Sequence, residues 1–296
     1  MRARYLREGA LWPLRALPTC TARSLGRRLL ADIDRSGGSF KSNDALYYKA
    51  HLIFDVVDEL ARMSTIVDHV KQVLESEDIL LWDASIPIKP PSGKGDQGLN
   101  FPLHQDATYW GIGPTDSIAT CWVALSDASR QHGCMHAVLG SHLHGQLPHE
   151  SNPSDASMLR RGQRALLHTS ADDPMGPSGA TANAEGGGAA AAHMELLPGE
   201  LSIHHPYVLH GSGVNRGSSD RIGVVLNYLT PSARPLDGST GSATLIAGRS
   251  CAPHWRLTSH RPTGRDCLDP RSLCAHQDAL SVHRGDLLAR STGVEK

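Results

Sequence analysis

From residue 102 onward the chain is cut into short apolar or alternating runs, and this punctuation limits the folds open to it. IATCWVAL (118–125), CMHAVL (134–139), MELLPG (194–199), LSIHH (201–205), RIGVVLNYL (221–229) and ATLIAG (243–248) are each bounded by Gly, Pro, Asp or Ser. Many short strands at turn-punctuated spacing predict an antiparallel sandwich or barrel. Helices are expected ahead of it, at 19–36 and 50–77. In the first, Leu25, Leu29 and Ile33 fall at i, i+4, i+8 before Gly37-Gly38. In the second, an apolar stripe runs from Leu52 to Val73 near period 3.6, with a short break around Ser64-Thr65. ILLWDASIPI (79–88) reads as a strand and KPPSGKGDQG (89–98) as a loop. The fold class is therefore mainly β with flanking helices.

The chain reads as a single domain over residues 1–296. A helical lead-in (1–78) precedes a β-core (79–250), and a C-terminal segment (251–296) follows. The Ala/Gly-rich stretch ADDPMGPSGATANAEGGGAAAA (171–192) lacks a core-forming pattern and is expected to be a mobile insertion loop. Hydrophobic residues make up 40% of the chain and charged residues 20%, enough to bury a sizeable core. With a formal net charge of -1 and no basic tract, nothing favours nucleic acid. No window reaches the ~18 apolar residues of a membrane span, and no protein partner is readable. Cys20, Cys121, Cys134, Cys251, Cys267 and Cys274 form no C-x-x-C pair, so reduced, mostly buried thiols and a cytoplasmic location are expected. The Arg-rich N-terminus resembles a mitochondrial transit peptide in composition. Its strand-like ALWPLRAL and the helix after Pro18-Thr19 read better as folded domain.

FPLHQDATYW (101–110) carries His104-x-Asp106, and alternate residues of a strand share one face. An imidazole and a carboxylate on one face can share an ion, but a site needs a third ligand. His210 ends the apolar run PYVL and precedes Gly211-Ser212-Gly213. A histidine at a strand end before a glycine turn can face a cavity. Eleven positions later Arg221 opens RIGVVLNYL, and a hairpin-like connection can fold it back beside His210. Two histidines and one carboxylate on one face of a metal are typical of non-haem Fe(II) oxygenases. A nearby guanidinium offers a planar fork for a carboxylate, which suits 2-oxoglutarate.

HQDATYWG, the element Gly133-Cys134…Val138-x-Gly140-Ser141-His142, and HGSG-x-N followed by RIG together resemble the phytanoyl-CoA dioxygenase family. The likeness extends to ALWPLRAL, KAHLIFDVV and LLWDASIPIKPP before HQD, and to SATLIAG and LDPRSLCAHQDAL after the core. It implies a double-stranded β-helix, a jelly-roll-like and cupin-like core, with Fe(2+), 2-oxoglutarate and O2. Residue by residue it implies iron ligands His104, Asp106 and His210. Arg221 would grip the distal carboxylate of 2-oxoglutarate and Ser212 would add a hydroxyl. Trp122 would contact the cosubstrate, and Lys49, in YYKAHL, would reach it from the lead-in. Related halogenases vacate the carboxylate position, so Asp106 implies hydroxylation of a C–H bond, with 2-oxoglutarate leaving as succinate and CO₂.

His204 and His205 compete for the third ligand position. On an extended chain His205 would lie about 16 Å from His210 at ~3.3 Å per residue, so His210, with its GSG and arginine spacing, is preferred. Of His132, His136, His142, His144 and His149, His142 is expected to bond backbone and His136 to lie on a strand face. Tyr109 and Trp110 are either substrate walls or core packing, and Asn215 is a turn former. Two readings compete with the oxygenase. One is a catalytically inactive jelly-roll module that binds a ligand or partner, against which the complete residue set argues. The other is a zinc hydrolase on a cupin-like barrel, which has no need of Arg221 and Ser212 as a dicarboxylate clamp. The family resemblance leaves the small-molecule substrate open, and Lys89 and Lys94 are the only lysines in KPPSGKG available to coenzyme A phosphates.

Overall fold

The computed structural model describes residues 1–36, 48–93, 98–151, 156–159, 163–166, 191–249, 252–258, 261 and 269–291. The lead-in comprises α1 (Arg2–Glu8), β1 (Ala10–Arg15), α2 (Thr19–Ser36), a 3₁₀ turn at Ala50–Leu52, α3 (Asp55–Ala61) and α4 (Ser64–Leu74). The single helix expected over 50–77 is thus a turn and two helices. They part at Met63, which is extended (φ -62, ψ 122). The Thr65 hydroxyl of the new first turn donates to Ala16 O at 2.7 Å, fixing α4 against the end of β1. The Arg-rich N-terminus is folded domain, since Tyr5 is buried and donates to Ile118 O at 3.3 Å.

The strands that follow are β2 (Ile79–Ser85), β3 (Ile88–Lys89), β4 (Phe101–His104), β5 (Ile112–Gly113), β6 (Ile118–Ala124), β7 (Met135–Val138) and β8 (His149–Ser151). Then come β9 (Gln163–Ala165), β10 (Ala191–Met194), β11 (Glu200–His204), β12 (Leu209–Ser212), β13 (Arg221–Leu229) and β14 (Arg234–Pro235). The chain closes on β15 (Gly241–Ala247), β16 (Trp255–Thr258) and α5 (Pro270–Ser291). The large sheet runs β1-β11-β6-β13-β2-β15-β16 with β3 also on β13, and the small sheet runs β10-β7-β12-β4. Every pairing in the two sheets is antiparallel except β15 with β16.

Alternation along the central strands assigns the two faces of the large sheet. Cys121, Val123, Val224, Leu226 and Tyr228 share one core with Leu25, Leu29, Leu60 and Ile66 of the helices. Burying each such side chain contributes about 1.5–3 kcal/mol. The opposite face carries Thr120, Trp122, Arg221 and Asn227. Trp122 packs there against Met135 of the small sheet, so this face looks into the space between the sheets.

Three boundaries differ from the sequence reading, as does the exposure of two thiols. ILLWDASIPI is two strands, because Pro87 brings no backbone donor to a ladder. MELLPG contributes only Met194 to a strand, and Pro198-Gly199 is a turn whose Gly199 has φ +91, with Leu17 O where a Cβ would stand. Ala191 and Ala192, read as the end of the insertion, pair with Val138 and Ala137 in β10; residues 167–190 lie outside the described residues. Of the thiols, Cys121 and Cys134 are buried but Cys20 and Cys274 are exposed, all four free. Among the described residues no helix is long and apolar enough to cross a membrane.

Candidate metal and cosubstrate site

The register of β12 against β4 sets His210 directly opposite His104. Their rings lie 4.3 Å apart, centroid to centroid. His104 ends β4, Gln105 stays extended (φ -114, ψ 131), and Asp106 opens a 3₁₀ turn, Asp106–Tyr109. Asp106 is therefore just beyond the strand on which it was expected. The alternation survives through Gln105, and the turn then carries the chain away from the ladder. His210 likewise stands second in β12, Leu209–Ser212, where it was read as a strand end.

His104 Nε2 and His210 Nε2 each lie 3.5 Å from Asp106 Oδ1. Ligands at about 2.1 Å from a shared ion would stand near ~3 Å apart, so a small inward movement would bring these three onto one ion. These three residues are the one group among the described residues whose donor atoms all lie within 4.8 Å of one another. The other ring nitrogens are committed: His104 Nδ1 donates to Pro102 O at 2.8 Å and His210 Nδ1 to Val208 O at 3.1 Å. That fixes the tautomer and turns both Nε2 lone pairs toward Asp106, as metal-ligating histidines require. Burial, with His104 beside it, holds His210 well below an ordinary histidine and so in the neutral, ligating form. Burial opposes ionisation of Asp106. Even so, His210 beside it and the hydrogen bond from His204 Nε2 hold its carboxyl well below the usual range.

Thr120 Oγ1 donates to Asp106 Oδ2 at 3.0 Å, and His204 Nε2 does so at 3.1 Å. Oδ2 is thereby pinned, leaving Oδ1 for the imidazoles and any shared ion. Gln105 anchors the turn: its Nε2 donates to Gly145 O (2.8 Å) and Tyr207 O (2.7 Å), and its Oε1 accepts from Leu147 N (2.8 Å) and Gln146 Nε2 (3.0 Å).

Along the same face of the large sheet, Arg221 stands opposite Lys89 of β3. Both are buried, at 2% and 0% exposure. Lys89 Nζ donates to Ser212 Oγ at 2.6 Å and to Gly213 O. Arg221 Nη1 donates to Gly133 O, while its buried Nε has no hydrogen-bond partner. The Arg221 guanidinium lies over the Trp122 ring, 5.3 Å from its centroid. Gly223 makes room for that ring, since a Cβ there would meet Trp122 Cζ2 at 2.2 Å. Among the described residues no acid pairs with either cation. Burial pushes Arg221 down to about 10, and burial with Arg221 beside it pushes Lys89 well down. Two buried, adjacent cations, an unpartnered guanidinium N–H and a neighbouring hydroxyl fit a carboxylate guest.

Arg221, Ser212 and Trp122 are thus brought together, and the lysine beside them is Lys89. Lys49, also buried, donates from Nζ to Ser242 O at 2.8 Å and to Trp82 O. Trp110 packs on Trp82 with ring centroids 5.1 Å apart, and the Tyr109 side chain lies outside what is described. His142 Nε2 bonds Leu6 O at 3.0 Å, and Asn215 caps its turn by accepting from Gly217 N at 2.9 Å. The roles of Lys89, Thr120 and Gln105, and the hold of His204 on Asp106, were not read from sequence. Thr120 and Trp122 at i, i+2 was the available signal for that face.

The chain turns at Pro206-Tyr207, so His205 and His210 are not joined by extended backbone. His205 serves elsewhere: Nε2 donates to Asp116 Oδ1 at 3.1 Å and Nδ1 accepts from Tyr207 N at 3.0 Å. Burial drops its pKa from 6.5 to about 4. Below pH 6.5 the unfolded chain takes up a proton that the folded one refuses, so stability falls as pH falls from 6.5 toward 4. The loss is on the order of 3 kcal/mol. Thermal melts across that window are expected to show a shallower slope in His205→Gln; an unchanged slope would place the titration elsewhere.

The family model for phytanoyl-CoA dioxygenase (PhyH) matches residues 16–223. A probable alpha-ketoglutarate-dependent hypophosphite dioxygenase of Stutzerimonas stutzeri is 30% identical over 209 residues, covering 68% of this chain and 63% of that protein. The peroxisomal phytanoyl-CoA dioxygenase of Homo sapiens is 24% identical over 217 residues, covering 73% and 59%. The matched stretch thus spans about three fifths of these relatives' length. Among solved structures, the apo form of the non-heme monooxygenase ThoJ superposes with a TM-score of 0.79 at 25% identity, covering 97% of both chains. Because the family match runs from the lead-in through HQD and HGSG to the start of β13, this chain belongs to the phytanoyl-CoA dioxygenase family.

Proposed function

We propose that this protein is an Fe(II)- and 2-oxoglutarate-dependent dioxygenase that hydroxylates a small organic molecule. The observation that carries the reading is one arrangement: the His104–Asp106–His210 set and the uncompensated Lys89–Arg221 cations, joined by β12, which bears both His210 and Ser212. Ferrous iron bound with 2-oxoglutarate supplies oxygen activation, so that R–H, 2-oxoglutarate and O2 give R–OH, succinate and CO₂.

The chain's own residues perform the rest. His104, Asp106 and His210 would hold the ion on one face and leave the opposite positions open. Thr120 and His204 hold Asp106 Oδ2, so that Oδ1 is the oxygen that would face the ion. Arg221, Lys89 and Ser212 would take the distal carboxylate of 2-oxoglutarate, and Trp122 walls its path. Tyr109 ends the ligand turn and Trp110 follows it, both on the side where substrate would enter, and Lys49 braces the strands behind it. Read from composition and thiol chemistry, the compartment is the cytoplasm.

The test is succinate release from 2-oxoglutarate under air, screened with candidate substrates against the uncoupled background. Release that needs ferrous iron and rises with a substrate is expected. No iron-dependent succinate with any candidate, alongside retained ligand binding, would favour a non-catalytic module.

A further inference from the structure

Polar side chains from four strands of the large sheet stand in one transverse row. His204 of β11 is opposite Thr120 of β6, Thr120 is opposite Asn227 of β13, and Asn227 is opposite Asp83 of β2. Directly opposed residues of antiparallel strands put their side chains on one face, with Cβ atoms about 4.5–5.5 Å apart. All four are buried, with Asn227 and Asp83 each 6% exposed. The first two already hold Asp106, so the row leads straight away from the candidate metal centre.

Asn227 Oδ1 is buried and has no hydrogen-bond partner. Buried amides are almost always paired, and an unpaired one is destabilising, so this group awaits something the fold does not supply. Beside it, Asp83 Oδ1 accepts from Lys49 N at 2.7 Å. Burial raises the Asp83 carboxyl to about 6, which leaves it ionised at neutral pH. The Lys49 ammonium reaches Ser242 O and Trp82 O on the same edge.

We infer that Asn227 and Asp83 form the substrate subsite beside the metal centre and that they recognise a hydrogen-bond donor. The substrate is then a small polar molecule bearing an amine or a hydroxyl. An acyl chain would leave Asn227 Oδ1 unpaired, and an anion would meet the Asp83 charge. This inference rests on the oxygenase reading of the site.

The test uses the full chain loaded with Ni(II), which is inert to oxygen chemistry, and 2-oxoglutarate. Calorimetry first establishes that wild type binds both; failure there overturns the oxygenase reading itself. Thermal melts then compare the L-amino acids and common polyols with straight-chain fatty acids and hypophosphite. At least one amine- or hydroxyl-bearing member is expected to raise the melting temperature by several degrees. That rise should vanish in Asn227→Leu and in Asp83→Asn, both close in shape to the native residues. Amino acids or polyols as the active arm would separate ammonium from hydroxyl recognition. With 2-oxoglutarate binding intact, the subsite is overturned if no donor gives a shift that the two substitutions remove, or if fatty acid or hypophosphite alone does so. As a ligand-free control, Asn227→Leu should melt at or above wild type. A fall of several degrees would assign Asn227 a structural role and overturn the inference as well.

Discussion

Asp106→Ala is expected to abolish iron-dependent succinate formation and to weaken Fe(II) binding by at least ~100-fold, since even residues that merely orient ligands are worth 10–100-fold in metal affinity. Asp106 is the hub of the site. Its Oδ1 faces both imidazoles at 3.5 Å, and its Oδ2 collects Thr120 and His204. Removing it takes away one ligand and the anion that offsets a divalent charge, and it leaves His204 Nε2–H without its acceptor. Thr120→Val removes only one bond to Oδ2 and is expected to give a smaller loss, within the ~10–100-fold range of an orienting group. Fe(II) titration of the two variants checks the ranking, and equal losses would show that Asp106 is not the hub.

Arg221→Met and Lys89→Met should each raise the dissociation constant for 2-oxoglutarate while leaving Fe(II) binding in place. A charge-assisted hydrogen bond contributes about 1.5–3 kcal/mol, which corresponds to roughly 10–150-fold in affinity. Arg221 should show the larger effect, because it offers a planar fork and an unused Nε, whereas Lys89 Nζ is partly spent on Ser212 and Gly213. Calorimetric titration of the metal-loaded proteins with 2-oxoglutarate measures both. If Lys89→Met binds 2-oxoglutarate as wild type does, Lys89 only braces Ser212. If Arg221→Met does so, the dicarboxylate site lies elsewhere.

The triad was legible because its chemistry is compact in sequence. His104-x-Asp106 and His210-Gly-Ser with Arg221 beyond are residue types whose spacing constrains the chemistry, and antiparallel pairing of β4 with β12 closes the gap between them. Lys89 was hidden by its surroundings. KPPSGKG reads as loop by composition, yet Lys89 sits in a two-residue strand held by pairing with Arg221, and only that register puts two cations together. Thr120, Asn227 and Asp83 come from three separate runs, and their adjacency depends on strand order and on the bulge at Trp82 of β2 beside Asn227. His204 was seen as a histidine near the site. Its hold on Asp106 required knowing that β11 lies beside β6. The helix break at Met63 shows in the sequence only as a short gap in the apolar stripe around Ser64-Thr65, and the strand end at Pro87 was missed where that residue set the backbone against a longer apolar pattern.

The most direct measurement of the central claim is anaerobic visible spectroscopy of the protein with Fe(II) and 2-oxoglutarate. Chelation of 2-oxoglutarate to iron held by His104, Asp106 and His210 should give a weak metal-to-ligand absorption band in the visible range that saturates with cosubstrate and is absent in Asp106→Ala. No band at saturating Fe(II) and 2-oxoglutarate, or an equal band in Asp106→Ala, would contradict the assignment of this site.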